Sequence, residues 1–290
     1  MPSLKDIRRR IASVKNTQKI TKAMKMVSAA KLRRAEDAAK RSRPYAEQLD
    51  ATLRQIVAGL GAEAHPLLAS REVARTEWIV VTSDRGLCGG FNGNLLRLVD
   101  RELKARLSPE LEITVWTVGK KARDYFARRA YSVRGESLGF SAAPSHADGS
   151  ALARIAAERF TSGAVDEVMI VYNEFISAAV QKPKIERLLP LKSSIEGDET
   201  PVGPEPLFEP SPQEMLAVLL PRQVESRVYR ALLESAAAEH AARMAAMESA
   251  TSNASDMIGS LTLQFNKARQ AAITKELMEI VSGAEALSSA

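Results

Sequence analysis

From Met244 to Ala272 the small and apolar residues fall at Met244, Met247, Thr251, Ala254, Ile258, Leu261, Phe265, Ala268 and Ala272. The steps alternate between three and four residues. A repeat of 3.5 is the seam of a left-handed coiled coil, whereas an isolated surface helix shows 3.6. A second stripe, Ile273, Leu277, Ile280, Ala284 and Leu287, extends the pattern almost to the end of the chain. The spacing predicts a helix over 213–287 that rises about 100 Å at 1.5 Å per residue. Pro221 marks its start or a kink near its base. A seam rich in Ala and Thr buries little area per residue, so this helix requires a partner along its length.

Only one other segment is long enough. Residues 3–58 carry no proline between Pro2 and Pro44 and no glycine before Gly59. Ser3 is a fitting N-cap, and Leu4, Ile7, Ile11 and Val14, then Ile20, Met24 and Val27, step by three and four. Such a helix would rise about 80 Å, with a bend expected at Pro44. With a domain between them, the two terminal helices are expected to pair antiparallel. Aromatic residues are only 5% of the chain, which fits an Ala-rich helical build.

The middle of the chain alternates strands and helices. Strand candidates are 77–83, 111–119, 166–173 and 184–192; helix candidates are 92–107, 120–129 and 149–162. Near-continuous apolar strands separated by helices predict a mostly parallel sheet covered on both faces. The expected organisation is therefore an N-terminal coiled-coil helix over 1–58, a Rossmann-like α/β domain over 75–192, an exposed acidic linker over 193–212 and a C-terminal coiled-coil helix over 213–290. The linker carries five prolines, five Asp or Glu and no Lys or Arg.

Charge is distributed unevenly. The whole chain has 41 Lys and Arg against 35 Asp and Glu. Residues 1–43 alone hold 14 basic against three acidic side chains, with no acid between Asp6 and Glu36. This asymmetry calls for an anionic partner: nucleic acid, anionic lipid or an acidic protein surface. No Phe, Tyr or Trp precedes Tyr45, which weighs against single-stranded nucleic acid held by stacking.

Motifs of chemistry are sparse. The single cysteine, Cys88, allows no intrachain disulfide and no Cys-based metal site. His65, His146 and His240 are too scattered to form an evident metal set. No apolar run reaches the roughly 18 residues of a membrane span, and the N-terminus lacks a secretory h-region. The stretch Ser83-DRGLCGGFNGN-Leu95 follows a strand and opens a helix, where a phosphate loop would sit. Its glycines read GxxGGxxG, matching neither the dinucleotide fingerprint nor a Walker A loop. A tight turn used for packing or for contact with another chain is the better reading, with Asp84 and Arg85 available for a local ion pair. Lys275 and Glu279 have i,i+4 spacing. No catalytic constellation and no cofactor are implied.

Three segments, Ile11-ASVKNTQKITKAMKMVSAAKLRRA-Glu36, Ser83-DRGLCGGFNG-Asn94 and Leu261-TLQFNKARQAAITKELMEIVSGAEAL-Ser288, together resemble the γ-subunit family of F-type ATP synthases. The resemblance spans the chain in order. It implies a non-catalytic rotor: an antiparallel shaft inside a ring of three α and three β subunits, with the Rossmann-like domain at its foot against ε and the membrane c-ring, and δ also in the assembly. It implies that the basic row Lys19, Lys22, Lys25, Arg33 and Arg34, with Met24 and Cys88, lies near the acidic levers of β. Arg243, Gln270, Thr274 and Glu276 would form a polar catch with the ring. The last turns, through Leu287, would run in an apolar sleeve. Phe208 and Glu209 would approach the c-ring. The lone Cys88 excludes the thiol switch of chloroplast relatives. With no transit peptide, the expectation is a bacterial protein, peripheral on the cytoplasmic face of the plasma membrane. The rival readings, a nucleotide-binding or nucleic-acid-binding coiled-coil protein, leave the seam unexplained.

Overall fold

The computed structural model describes residues 3–60, 64–191, 209 and 211–288. The elements run α1 (Leu4–Leu60), a 3-10 turn (Pro66–Leu68), β1 (Arg75–Val81), α2 (Phe91–Arg106), β2 (Glu112–Val118), α3 (Lys120–Phe126), β3 (Ser132–Ser137), α4 (His146–Thr161), β4 (Glu167–Phe175), β5 (Gln181–Leu189) and α5 (Pro212–Ser288). The helix α5 begins at Pro212 and runs through Pro221, so that proline is not its start; α1 likewise contains Pro44. Most of the 193–212 linker lies outside the described residues.

Two compact units form. The first joins Met1–Val27 to Met244–Ala290. Here the helices pair antiparallel: Arg8 stacks on Phe265, Gln18 bonds Ser255, Thr21 bonds Thr251 and Lys25 pairs with Glu248, one number falling as the other rises. On α5 the shielded positions include Met244, Met247, Thr251, Ala254, Ile258, Leu261, Phe265 and Ala268, as the 3.5 period predicts. Ala272 is exposed.

The α1 seam departs from expectation after Val14. It continues through Gln18, Thr21 and Lys25, with Met24 beside it, while Ile20 and Val27 stand 59% and 56% exposed. Geometry explains this. The three- and four-residue steps from Leu4 land on 18, 21 and 25, not on 20 and 27. The Thr251 hydroxyl there bonds the Thr21 hydroxyl at 2.7 Å, so the seam is polar on both helices.

The second unit, Ser28–Arg243, holds a five-stranded sheet of order β3-β2-β1-β4-β5. All pairings are parallel except β4 with β5. Successive β1 side chains alternate between faces. Trp78 and Val80 pack with Leu95, Val99, Leu103 and Phe126 from α2 and α3. Ile79 and Val81 pack with Leu53 and Ile56 of α1, Phe160 of α4, and Leu220 and Val224 of α5. The doubly covered sheet is thus as the sequence predicts. The strand the sequence did not predict is β3, SVRGES, an edge strand with no apolar face. Its Gly135 is required because a Cβ there would stand 2.5 Å from the Trp116 ring.

Asp166 ties the entry of β4 to β1. Its carboxylate accepts from the amide nitrogens of Ala74 (3.3 Å) and Arg75 (2.9 Å) and from the Arg75 guanidinium (3.2 and 2.9 Å). Burial pushes this carboxyl up, but the Arg75 and backbone bonds outweigh it and hold it below the usual range. A carboxyl with a depressed folded pKa contributes stability above the ordinary value near 4, which is lost as pH falls through the folded one. Asp166→Asn is therefore expected to lose about 1–2 kcal/mol at neutral pH, the lower range because Arg75 is partly exposed. Urea denaturation at pH 7 and at pH 3 should show the deficit shrinking in acid.

Candidate functional site

The sequence-predicted residues fall in both units. In the first, Lys19 and Lys22 are exposed, while Lys25 is half-buried and committed to Glu248. Gln270, Thr274 and Glu276 are exposed on the far part of α5. So are Ile273, Leu277, Met278, Ile280 and Val281, at 49–64%. Every position from 269 to 282 is exposed, so this segment offers apolar side chains that no other described residue covers. Lys275 and Glu279 do pair, at 3.6 Å, but both are largely exposed and the pair contributes little. The side chain of Leu287 lies outside the described residues, as does Phe208; Glu209 is exposed.

In the second unit Arg33 and Arg34 are exposed and form no salt bridge among the described residues. The structure brings Cys88 and Arg243 together at the glycine-rich loop after β1. Cys88 is buried against Phe91 and Ala238, with Phe175 and Ala242 beside them. Burial pushes its thiol up, against weaker opposing pulls from the Ser83 hydroxyl and Arg243. The thiol is therefore a packing group, and it is Leu87, 64% exposed at φ +63°, that the loop turns outward.

The loop is closed on itself. The Asn92 side chain accepts from the Ser83 amide at 3.0 Å and donates to the Ser83 hydroxyl at 2.8 Å and the Cys88 sulfur at 3.2 Å. Arg243 then clamps it to α5, donating to the carbonyls of Gly86 (3.2 Å) and Arg85 (3.4 Å) while paired with Glu239 at 2.7 Å. Glu239 is buried, and burial pushes its carboxyl up while Arg243 pulls it down.

Asp84 does not pair with Arg85. Its carboxylate accepts from the Lys120 amide at the start of α3 (3.1 Å), the Gly139 amide (3.1 Å) and the Ser141 hydroxyl (2.9 Å). An aspartate just past a strand finds unpaired amides at the neighbouring helix start more readily than a flexible arginine in water. Asp84 thus links the loops after β1, β2 and β3. No local pattern in the sequence marks this role of Asp84, whereas the i,i+4 spacing of the buried Glu239–Arg243 pair is legible there.

In a sheet of this order a dinucleotide would lie where β1 and β4 diverge, its phosphates at the start of α2. Here Phe91, at that start, packs with Cys88 against Ala238 of α5. The place is filled by the chain's own helix. Among the described residues there is no cluster of metal-ligating side chains.

A family model described as ATP synthase matches residues 3–287. The ATP synthase gamma chain of Anaeromyxobacter sp. (strain K) is 55% identical, over 99% of this chain and 100% of its own. That of Pelotomaculum thermopropionicum is 47% identical with the same coverage. Among solved structures, a chain of the Euglena gracilis mitochondrial ATP synthase superimposes with a TM-score of 0.70 at 24% identity, covering 98% of this chain and 94% of that one. A chain of the Tetrahymena thermophila central stalk and c-ring gives 0.61 at 24%, covering 80% and 99%. These two likenesses are of fold. The extent and level of identity to the bacterial relatives decide the matter: the chain belongs to the ATP synthase gamma chain family.

Proposed function

We infer that this chain is the central rotor shaft of a proton-translocating ATP synthase, transmitting c-ring rotation to catalytic sites on β. It performs no chemistry itself. Its family membership carries the reading, and the helix pairing fits it: a two-stranded coil with apolar side chains turned outward at Ile20, Met26 and Val27, continued on α5 by an exposed helix with apolar side chains along 273–281, expects surrounding partners. Those partners are α and β around the coil, with ε, δ and the c-ring completing the assembly. Residues 1–58 and 213–290 serve as the shaft, 75–192 as the foot domain and 193–212 as the linker. Lys22, Arg33 and Arg34 supply an exposed positive row that attracts acidic levers on β. Lys25 contributes less to that field because Glu248 already neutralises it. Gln270, Thr274 and Glu276 act at the ring, and Glu209, with Phe208, near the c-ring. The protein works peripherally, on the cytoplasmic face of a bacterial plasma membrane. Among the described residues no helix is long and apolar enough to cross a membrane.

Met24 is half-buried beside Lys25. Met24→Lys would add a second cation there and oppose the lever movements that follow shaft angle. A lower ATP yield per proton is expected, with assembly retained; an unchanged yield in reconstituted vesicles would contradict the contact. The function as a whole is tested by the ATPase activity of the chain alone, of matched α plus β, and of all three. Turnover that appears in stoichiometric amount only with all three supports a non-catalytic coupling subunit. Turnover by the chain alone would overturn it.

A further inference from the structure

His240 on α5 is buried, 2% exposed. Its Nε2 stands 2.8 Å from the carbonyl oxygen of Ala142, in the segment between β3 and α4. That carbonyl can only accept, so Nε2 carries the proton and donates. The other ring nitrogen, Nδ1, is buried with no hydrogen-bond partner. Asp84 holds the same segment through the Gly139 amide and the Ser141 hydroxyl. His240 is thus a hydrogen-bonded tie between α5 and a segment that Asp84 binds to the end of the sheet, beside the packing of Phe140 on the core.

The surroundings disfavour a second proton. From α5 the charged neighbours are Arg243 and Glu239, and Glu239 is committed to Arg243 at 2.7 Å. From α1 the neighbour is Lys31, a further cation. Asp84, on the loop after β1, is engaged by Lys120, Gly139 and Ser141. Residues 138–145 contain no titratable side chain. An imidazolium would bury an Nδ1–H with no acceptor, beside Arg243 and Lys31. Burial is the main force pulling this imidazole below its ordinary range, and the two cations add to it.

We propose that His240 is a positioning residue whose neutral imidazole latches the 138–145 segment to α5, and that acidification releases the latch. The inference stands apart from the rotor reading, since it concerns how this chain's sheet loops are fixed to its own helix. Because the segment opens more readily when the ring binds a second proton, the opening equilibrium rises by up to about tenfold per pH unit below the ordinary imidazole pKa. The change is confined to the window between that value and the lower folded one.

Hydrogen exchange of the full-length chain, corrected for intrinsic rates, tests this at pH 8.0, 6.5 and 5.5. Peptides covering 138–145 are expected to lose protection at pH 5.5 while β1 keeps its own. His240→Gln should hold the segment through its side-chain amide and abolish the pH dependence. His240→Ala should leave it unprotected at every pH. Equal protection of wild-type 138–145 at all three values would overturn the proposal without any variant. So would the same pH dependence in a folded His240→Gln protein.

Discussion

Gly119→Ala is expected to destabilise the chain by at least about 3 kcal/mol, among the largest effects a single methyl can have. Gly119 joins β2 to α3 at φ +87°, which side chains rarely adopt. An added Cβ would stand 2.3 Å from the Thr82 carbonyl oxygen and 3.0 Å from the Ser83 carbonyl carbon. These are backbone atoms and cannot rotate away. Nor can the strand end shift freely: Thr82 donates to the Val118 carbonyl at 2.8 Å and its hydroxyl accepts from the Ala122 amide at 2.8 Å. Relief would have to come from the loop that begins at Ser83, whose Arg85 and Gly86 carbonyls receive Arg243. The variant should therefore lose both stability and the joint to α5. The midpoint of urea unfolding, at unchanged slope, measures the loss. A shift worth less than about 1 kcal/mol would show that the strand end yields more easily than this packing implies.

Arg243→Ala is expected to cost about 3–5 kcal/mol near neutral pH, the range for stranding one member of a buried ion pair. Glu239, 2% exposed, would keep its desolvation and lose its partner. The hydrogen bonds to Gly86 and Arg85 would go too. The pH dependence identifies the cause. Desolvation already raises the Glu239 carboxyl above its ordinary value, and without Arg243 it rises further. A carboxyl with a raised folded pKa contributes stability that is full below the unfolded value and is lost as pH rises through the folded one. The deficit of Arg243→Ala relative to wild type should thus be smallest below pH about 4 and grow toward neutrality. Glu239→Gln in the Arg243→Ala background should recover much of the loss, and the double-mutant cycle gives the coupling. A deficit that does not vary with pH would assign the effect to the lost loop contacts alone.

The two terminal helices and their pairing were legible because a 3.5-residue repeat has few other solutions, and α5 follows it from Met244 to Ala268. On α1 apolarity misleads, because Ile20 and Val27 fit a three- and four-residue step yet stand outside the seam. A seam position is set by geometry, and here it accepts Gln18 and Thr21 because Ser255 and Thr251 stand opposite. Displaced apolar residues on an outer face are instead signs of a missing partner. The sheet was legible from its buried strands, and β3 was not, since an edge strand owes its existence to pairing with β2 and carries no apolar pattern. The glycine-rich loop departs from phosphate loops in its spacing, GxxGGxxG, and that much is legible locally. Its actual holders, Asp84, Arg243 and Asn92, act through contacts spanning up to 158 residues of sequence, which no local pattern encodes.

Single-molecule observation of the assembled complex tests the rotor claim most directly. Ser108 is exposed and can be replaced by cysteine for a reporter, while buried Cys88 should remain unlabelled. With the complex fixed through β, adding ATP is predicted to turn the reporter in one direction with three equal stations per revolution. Sustained ATP hydrolysis with a stationary reporter would contradict the account.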